Sequence, residues 1–198
     1  MESNHHEGRE PARSATSQRV LGIDPGSATT GFGLVERSGA GVVHVAHGTI
    51  RLQRTGSLTA RLARLHREVA ELAQRYRPDV ASIEQCFVAA SPRSALVLGQ
   101  ARGAALAALG GAGVAVVEYA PASIKLSVAG SGRAGKDQIQ RVVARVLNLS
   151  SWPAADAADA LAAALCHAMA GRLELLAQRP RARRGRSRGP VVRVRRVS

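Results

Sequence analysis

The order of apolar segments predicts an α/β fold with one five-stranded mixed sheet flanked by helices. Three strand-like segments follow one another between residues 19 and 51 with short connections, which is the pattern of an antiparallel meander. From residue 57 onward, helical and strand-like segments alternate, which is the pattern of crossovers joining parallel strands. The chain has 198 residues and is 45% hydrophobic, enough for one sizeable core at roughly 150 residues per domain.

The first strand is the run Val20, Leu21, Gly22, Ile23, Asp24, closed by a turn at Pro25 and Gly26. Gly31 to Glu36 resume as a second strand and Val42 to Arg51 supply a third. Between Ser57 and Arg75, Leu58, Leu62, Leu65, Val69 and Leu72 recur at spacings of three and four, the mark of an amphipathic helix, and Pro78 follows its end. Asp79 to Glu84 is the fourth strand, Arg93 to Leu109 a helix, Val114 to Tyr119 the fifth strand and Lys136 to Leu147 a helix. The last helix, from Asp156 to about Leu176, is so rich in Ala that it can lie directly on the sheet, and Pro180 ends it.

Two flanking segments fall outside this unit of residues 19–176. Residues 1–18 are polar and aperiodic and read as a disordered leader, with His5 and His6 an isolated pair. Residues 177–198 read as a disordered cationic tail: nine Arg and no acid lie between 179 and 198. The formal net charge is +14, so the tail leaves only +5 for residues 1–178. A pI near 11.6 makes a polyanion, nucleic acid by default, the expected partner.

Cys86 and Cys166 have no CxxC spacing, which argues against a thiolate zinc site and a disulfide scaffold and for two buried free thiols. No apolar run reaches the roughly 18 residues of a membrane span, and residues 1–18 lack the apolar middle of a signal peptide. A cytosolic location is the expectation.

Acids at the ends of apolar strands carry the chemistry. Asp24 follows four apolar residues, and a carboxylate there is costly without a cation or hydrogen-bond donors; the competing reading is a cap on an Asp-Pro-Gly turn. Glu84 repeats the pattern after Val80 to Ile83, at the carboxyl end of a strand, where ligand sites of open α/β sheets gather. Asp156 and Asp159 are three residues apart on a helix, about 60° around its axis, so both can face one point. Their neighbours are all Ala, leaving no nearby base in sequence to neutralise them. Acids in a first helical turn are favoured by the macrodipole, but that does not account for the apolar setting.

Four carboxylates without a His or Cys pair suit hard, oxygen-preferring ions, Mg²⁺ or Mn²⁺ rather than Zn²⁺. Such a cluster suggests two ions, roughly 3.5 to 4 Å apart, one activating a water and one stabilising the leaving 3′ oxygen in an in-line displacement at phosphorus. His167 lies eleven residues beyond Asp156, some 16 Å along the axis, too far to share that metal. His44, His47 and His66 show no ligand spacing.

Four ordered motifs, VLGIDPGSATTGFG at 20–33, SIEQCF at 82–87, SALVLGQARG at 94–103 and DAADALAAALCH at 156–167, carry a family resemblance. Over residues 19–172 the chain resembles the RuvC family of Holliday-junction resolvases, dimeric nucleases of the RNase H-like fold. The resemblance implies paired symmetric nicks in four-way DNA junctions during recombination and repair, leaving 5′-phosphate and 3′-hydroxyl ends. It places Asp24, Glu84, Asp156 and Asp159 at the family's Mg²⁺-binding acids, the set the spacing selects. Lys125 and Lys136 fall at its basic positions near DNA; from sequence alone each is an ordinary surface Lys.

Phe87 matches an aromatic that stacks on bases at the junction centre, with core packing as the rival reading. Where relatives commonly carry Lys and Asn, this chain has Ala90 and Ser91, followed by Pro92, which shifts junction distortion toward Arg93. The helix from Ser94 to Leu109 lies in a region that forms a symmetric homodimer interface in the family, with intramolecular packing as the alternative for part of its face. Branch-migration motor proteins are partners by resemblance alone.

Two other function classes compete. An ATPase of the actin and sugar-kinase type also opens with a strand, an Asp and a Gly-rich hairpin turn, but it needs a duplicated domain and gives the Ala-flanked Asp pair no role. A non-catalytic junction-binding module would keep the charge without needing all four acids.

Overall fold

The computed structural model describes residues 4–7, 17–39, 41–52, 56–85 and 91–177. Its sheet has six strands in the order β1-β4-β3-β2-β5-β6. The strands are β1 (Asn4–Glu7), β2 (Gln18–Asp24), β3 (Thr29–Ser38), β4 (Gly41–Arg51), β5 (Val80–Glu84) and β6 (Ala115–Tyr119). β2, β3 and β4 form the antiparallel meander, and β5 and β6 extend it in parallel with β2. Five of these are the strands predicted from sequence.

The sixth corrects the reading of the leader as wholly disordered. Asn4 to Glu7 pair antiparallel with Thr49 to Ala46 of β4, capping that edge of the sheet. A four-residue polar strand has too few apolar positions to show a period of two, so its pairing is decided by the open edge it meets. Residues 8–16 and the Arg-rich segment 178–198 lie outside the described residues.

The helices are α1 (Leu58–Tyr76), α2 (Pro92–Gly111), α3 (Pro121–Ala129), α4 (Lys136–Val146) and α5 (Ala155–Ala177). α1 starts where Ser57 accepts a hydrogen bond from the Ala60 amide, and it ends with Arg77 in the left-handed region at φ 45°. α2 starts at Ser91, which accepts from the Ser94 amide, with Pro92 in the first turn where its missing N–H costs nothing. The departure at Ser91 and Pro92 is therefore a helix-starting signal. α3 was not anticipated: nine residues opened by Pro121 and closed by Gly130 give too few turns for a visible periodicity.

Alternation along the strands splits the core into two layers. Leu21, Ile23, Phe32, Leu34, Ala81 and Ile83 pack with α1 and α2 on one face. Val20, Val35 and Val80 pack with α3, α4 and α5 on the other. On that second face the alternation brings Gly22 and Asp24 of β2, Gly31 and Gly33 of β3, and Ser82 and Glu84 of β5.

Candidate active site

Glycine decides where α5 sits. A Cβ on Gly22 would overlap the Ala160 carbonyl oxygen, one on Gly31 the Asp156 carbonyl oxygen, and one on Gly33 would press into Leu161. The helix backbone therefore rests directly on β2 and β3, an approach that any larger residue would block. Ala157, Ala158, Ala160 and Ala162 to Ala164 are buried beneath and beside it, and small side chains keep the separation short. Ser82 donates from Oγ to the Ala163 carbonyl at 2.7 Å, a buried hydrogen bond that ties β5 to the same helix.

This contact brings the four acids together. Ile23 pairs with Ile83 in parallel register, so Asp24 and Glu84 end neighbouring strands on one face, a strand spacing of about 4.8 Å apart. Asp156 and Asp159, in the first turns of α5, arrive over them. Burial raises Asp24 from 3.8 to about 7, reinforced by the charges of Asp159, Asp156 and Glu84 and opposed by Lys136. Burial raises Glu84 as well, with Asp159 adding and Lys125 and Lys136 opposing. Asp159 is raised by burial foremost, with Lys136 opposing and Asp156 adding.

Both lysines stand where they act on this cluster. Lys136, exposed at the start of α4, has Nζ 4.0 Å from Asp159 Oδ2. Lys125 lies in the middle of α3, and its charge reaches Glu84 and Asp159. Arg93 is exposed in the first turn of α2, just after the loop that follows Glu84. Phe87 and Cys86 lie outside the described residues, whereas Cys166 is a buried free thiol, as expected.

Arg102 is a positioning residue that the sequence reading missed. Its Nη1 donates to the Glu84 carbonyl at 2.8 Å, and its Nη2 sits 2.6 Å from Glu118 Oε1. The Gln85 amide donates to the Tyr119 carbonyl at 2.8 Å, so the peptide that carries Glu84 is held from both neighbours. Nothing local in the sequence marks it off from an Arg that faces solvent. His167 pairs with the Tyr119 hydroxyl at 2.9 Å through Nδ1, consistent with its exclusion from the acidic cluster.

The donor set is oxygen only, and mutual repulsion among these acids is relieved by a cation. Among the described residues no three Asp, Glu, His or Cys side chains stand close enough together to hold a metal ion by themselves.

Comparison with known proteins bears on the same segments. The family described as crossover junction endodeoxyribonuclease RuvC matches residues 20–167, spanning all four acids. The chain belongs to the RuvC family. A crossover junction endodeoxyribonuclease RuvC of Ralstonia pickettii is 50% identical over 177 residues, 85% of this chain and 98% of that relative. One from Alkalilimnicola ehrlichii is 54% identical over 149 residues, 75% of this chain and 90% of its own length. Among solved structures, Thermus thermophilus RuvC in complex with a Holliday junction substrate superposes with a TM-score of 0.74 at 33% identity. That match covers 79% of this chain and 96% of the other. The yeast mitochondrial Holliday junction resolvase Ydc2 shares the fold at a TM-score of 0.57 and 14% identity, over 81% of this chain and 86% of that one. Neither rival function class accounts for this chain. Among the described residues no helix is long and apolar enough to cross a membrane.

Proposed function

We propose that this RuvC-family endonuclease resolves four-way DNA junctions by paired symmetric nicks, with Asp24, Glu84, Asp156 and Asp159 holding Mg²⁺. The observation that carries the reading is the convergence of these acids, from β2, β5 and α5, with Asp24 raised to about 7 by burial and by its three acidic neighbours. The likeness to RuvC bound to its Holliday junction supports the substrate class.

Divalent ions bound there, two per site with Mn²⁺ able to substitute, would supply an activated water and neutralise charge at the leaving 3′ oxygen. The chain's own residues do the rest. Asp24 and Glu84, carried by the sheet, and Asp156 and Asp159, carried by α5, would hold the ions. Lys136 and Lys125, on the rim of the cluster, hold the scissile phosphate and offset charge developing on it. Arg93 and Phe87 engage the junction centre beyond Glu84. Hydrolysis leaves a 5′-phosphate and a 3′-hydroxyl.

A homodimer places two such sites on one junction. In the first half of α2, Leu96 is 64% exposed, and no residue from Pro92 to Gln100 is buried, which supports a partner surface there. The Arg-rich segment 179–198 adds phosphate contacts of no sequence preference. The unit at 19–176 is the nuclease domain, and the setting is cytoplasmic recombination and repair, with branch-migration motors delivering the junction.

Incubation of the protein with a synthetic four-way junction and Mg²⁺ tests the reading. Symmetric nicks that need the ion are expected; a junction bound and left uncut, or a linear duplex cut equally well, overturns it.

A further inference from the structure

The only Trp of the chain, Trp152, is 62% exposed, although one large apolar side chain left in water forfeits about 1.5 to 3 kcal/mol of burial. It is not on a loose loop. The next residue, Pro153, is buried, and its carbonyl accepts a hydrogen bond from Gln140 Nε2 at 2.6 Å. The following carbonyl, of Ala154, accepts the first hydrogen bond of α5 from the Ala158 amide at 2.8 Å. The indole is thus fixed relative to the helix that carries Asp156.

Trp152 lines a cleft of about 190 Å³ together with His47, Thr49 and Arg51 of β4 and with Ala157, the residue after Asp156. Register fixes how far that cleft is from the acids. Thr49 pairs with Gly31, and Gly31 pairs with Asp24, so the three form one row across β4, β3 and β2. Two strand spacings make the step from Thr49 to Asp24 about 10 Å, close to three base steps at a rise of about 3.4 Å. The first turn of α5, with its amide ends, stands between.

An exposed aromatic, an exposed Arg and a helix N-terminus around one cleft offer a face for an apolar ring or sugar and charge for a phosphate. We propose that this cleft binds a nucleotide of the cleaved DNA strand about three steps from the scissile phosphate, with Trp152 packed on its base or sugar and Arg51 on its phosphate. The proposal rests on the junction-resolving reading above. It gives the strand a second anchor, on the β4 side of α5.

Because the chain has one Trp, its fluorescence reports this site alone. The Asp24→Asn protein, which keeps junctions uncut, is titrated with a four-way junction while a gel shift follows binding separately. Saturation is expected to quench the emission and to cut its quenching by acrylamide by about half. Trp152→Ala should weaken junction binding roughly tenfold, within what one stacked aromatic contributes, while Trp152→Phe retains most of it. Arg51→Gln should lower the salt slope of binding by about one. Binding in the gel shift with emission and acrylamide access unchanged overturns this inference and leaves the junction reading standing. No binding in the gel shift sinks both.

Discussion

The two ends of β2 solve opposite electrostatic problems. At its start, Arg19 is buried with every nearby demand met: Nε to Glu36 Oε2 at 3.0 Å, Nη1 to the Tyr76 carbonyl at 3.0 Å, and its own amide to Asp79 Oδ2 at 2.7 Å. At its finish, Asp24 is surrounded by three further acids, with Lys136 the opposing charge. Five residues apart on one strand, the first charge is matched by the protein and the second, on the function proposed above, is left to be matched by a metal and a substrate. Stability is concentrated at one end and reactivity at the other.

Substitutions at each end should separate these roles. The largest expected effect is on catalysis: Asp24→Asn should lower junction cleavage by about a thousandfold, the scale of several kcal/mol of metal-assisted stabilisation, with junction binding retained. Cleavage near the wild-type rate would remove Asp24 from the reaction. Next, Gly31→Ala places a Cβ against the Asp156 carbonyl and pushes the first turn of α5 off the sheet. A displacement near 1 Å costs about a hundredfold in rate, so single-turnover cleavage should fall by that order even where a melting curve shows folded protein.

At the other end, Glu36→Gln leaves the Arg19 guanidinium buried beside a neutral partner. Breaking such a pair costs about 3 to 5 kcal/mol, so urea unfolding should shift strongly while the folded fraction still cuts at the normal rate. If cleavage per folded molecule dropped instead, the two ends would be coupled.

The last effect is in the pH dependence. Asp24 lies at about 7 in the folded protein against 3.8 unfolded, so its contribution to stability is full below the lower value and lost as pH rises through the upper one. Glu84 and Asp159, also raised, act in the same direction. Without divalent ions, wild type should lose stability relative to Asp24→Asn between about pH 4 and pH 7, and Mg²⁺ should reverse the loss above that window. Parallel thermal melts across this range would refute the assignment.

Much of this is legible in the sequence. Five strands and the long helices announced themselves because each has enough apolar positions to display its period. The four acids were legible because a carboxylate after an apolar run is costly, and its repetition at Glu84 and in an Ala-flanked pair marks a shared purpose. Asn4 to Glu7 and α3 were not, being too short or too polar to be periodic. Arg102 and Trp152 were missed because nothing local distinguishes an Arg that holds a distant carbonyl from one facing solvent, or an exposed Trp from a buried one.

The sequence by itself determined the family and which acids are candidates for the chemistry, Asp24 and Glu84 at the ends of apolar strands and Asp156 and Asp159 in an Ala-flanked pair. Only the tertiary structure decided that α5 presses onto three glycines hard enough to bring Asp156 and Asp159 over Asp24. It also decided that Lys125 and Lys136 arrive from two different helices, and that Trp152 stands beside Arg51 about 100 residues away in the chain. The reason is physical: periodicity records which face of a segment is buried, whereas the distance between segments is set by how closely their backbones can pack.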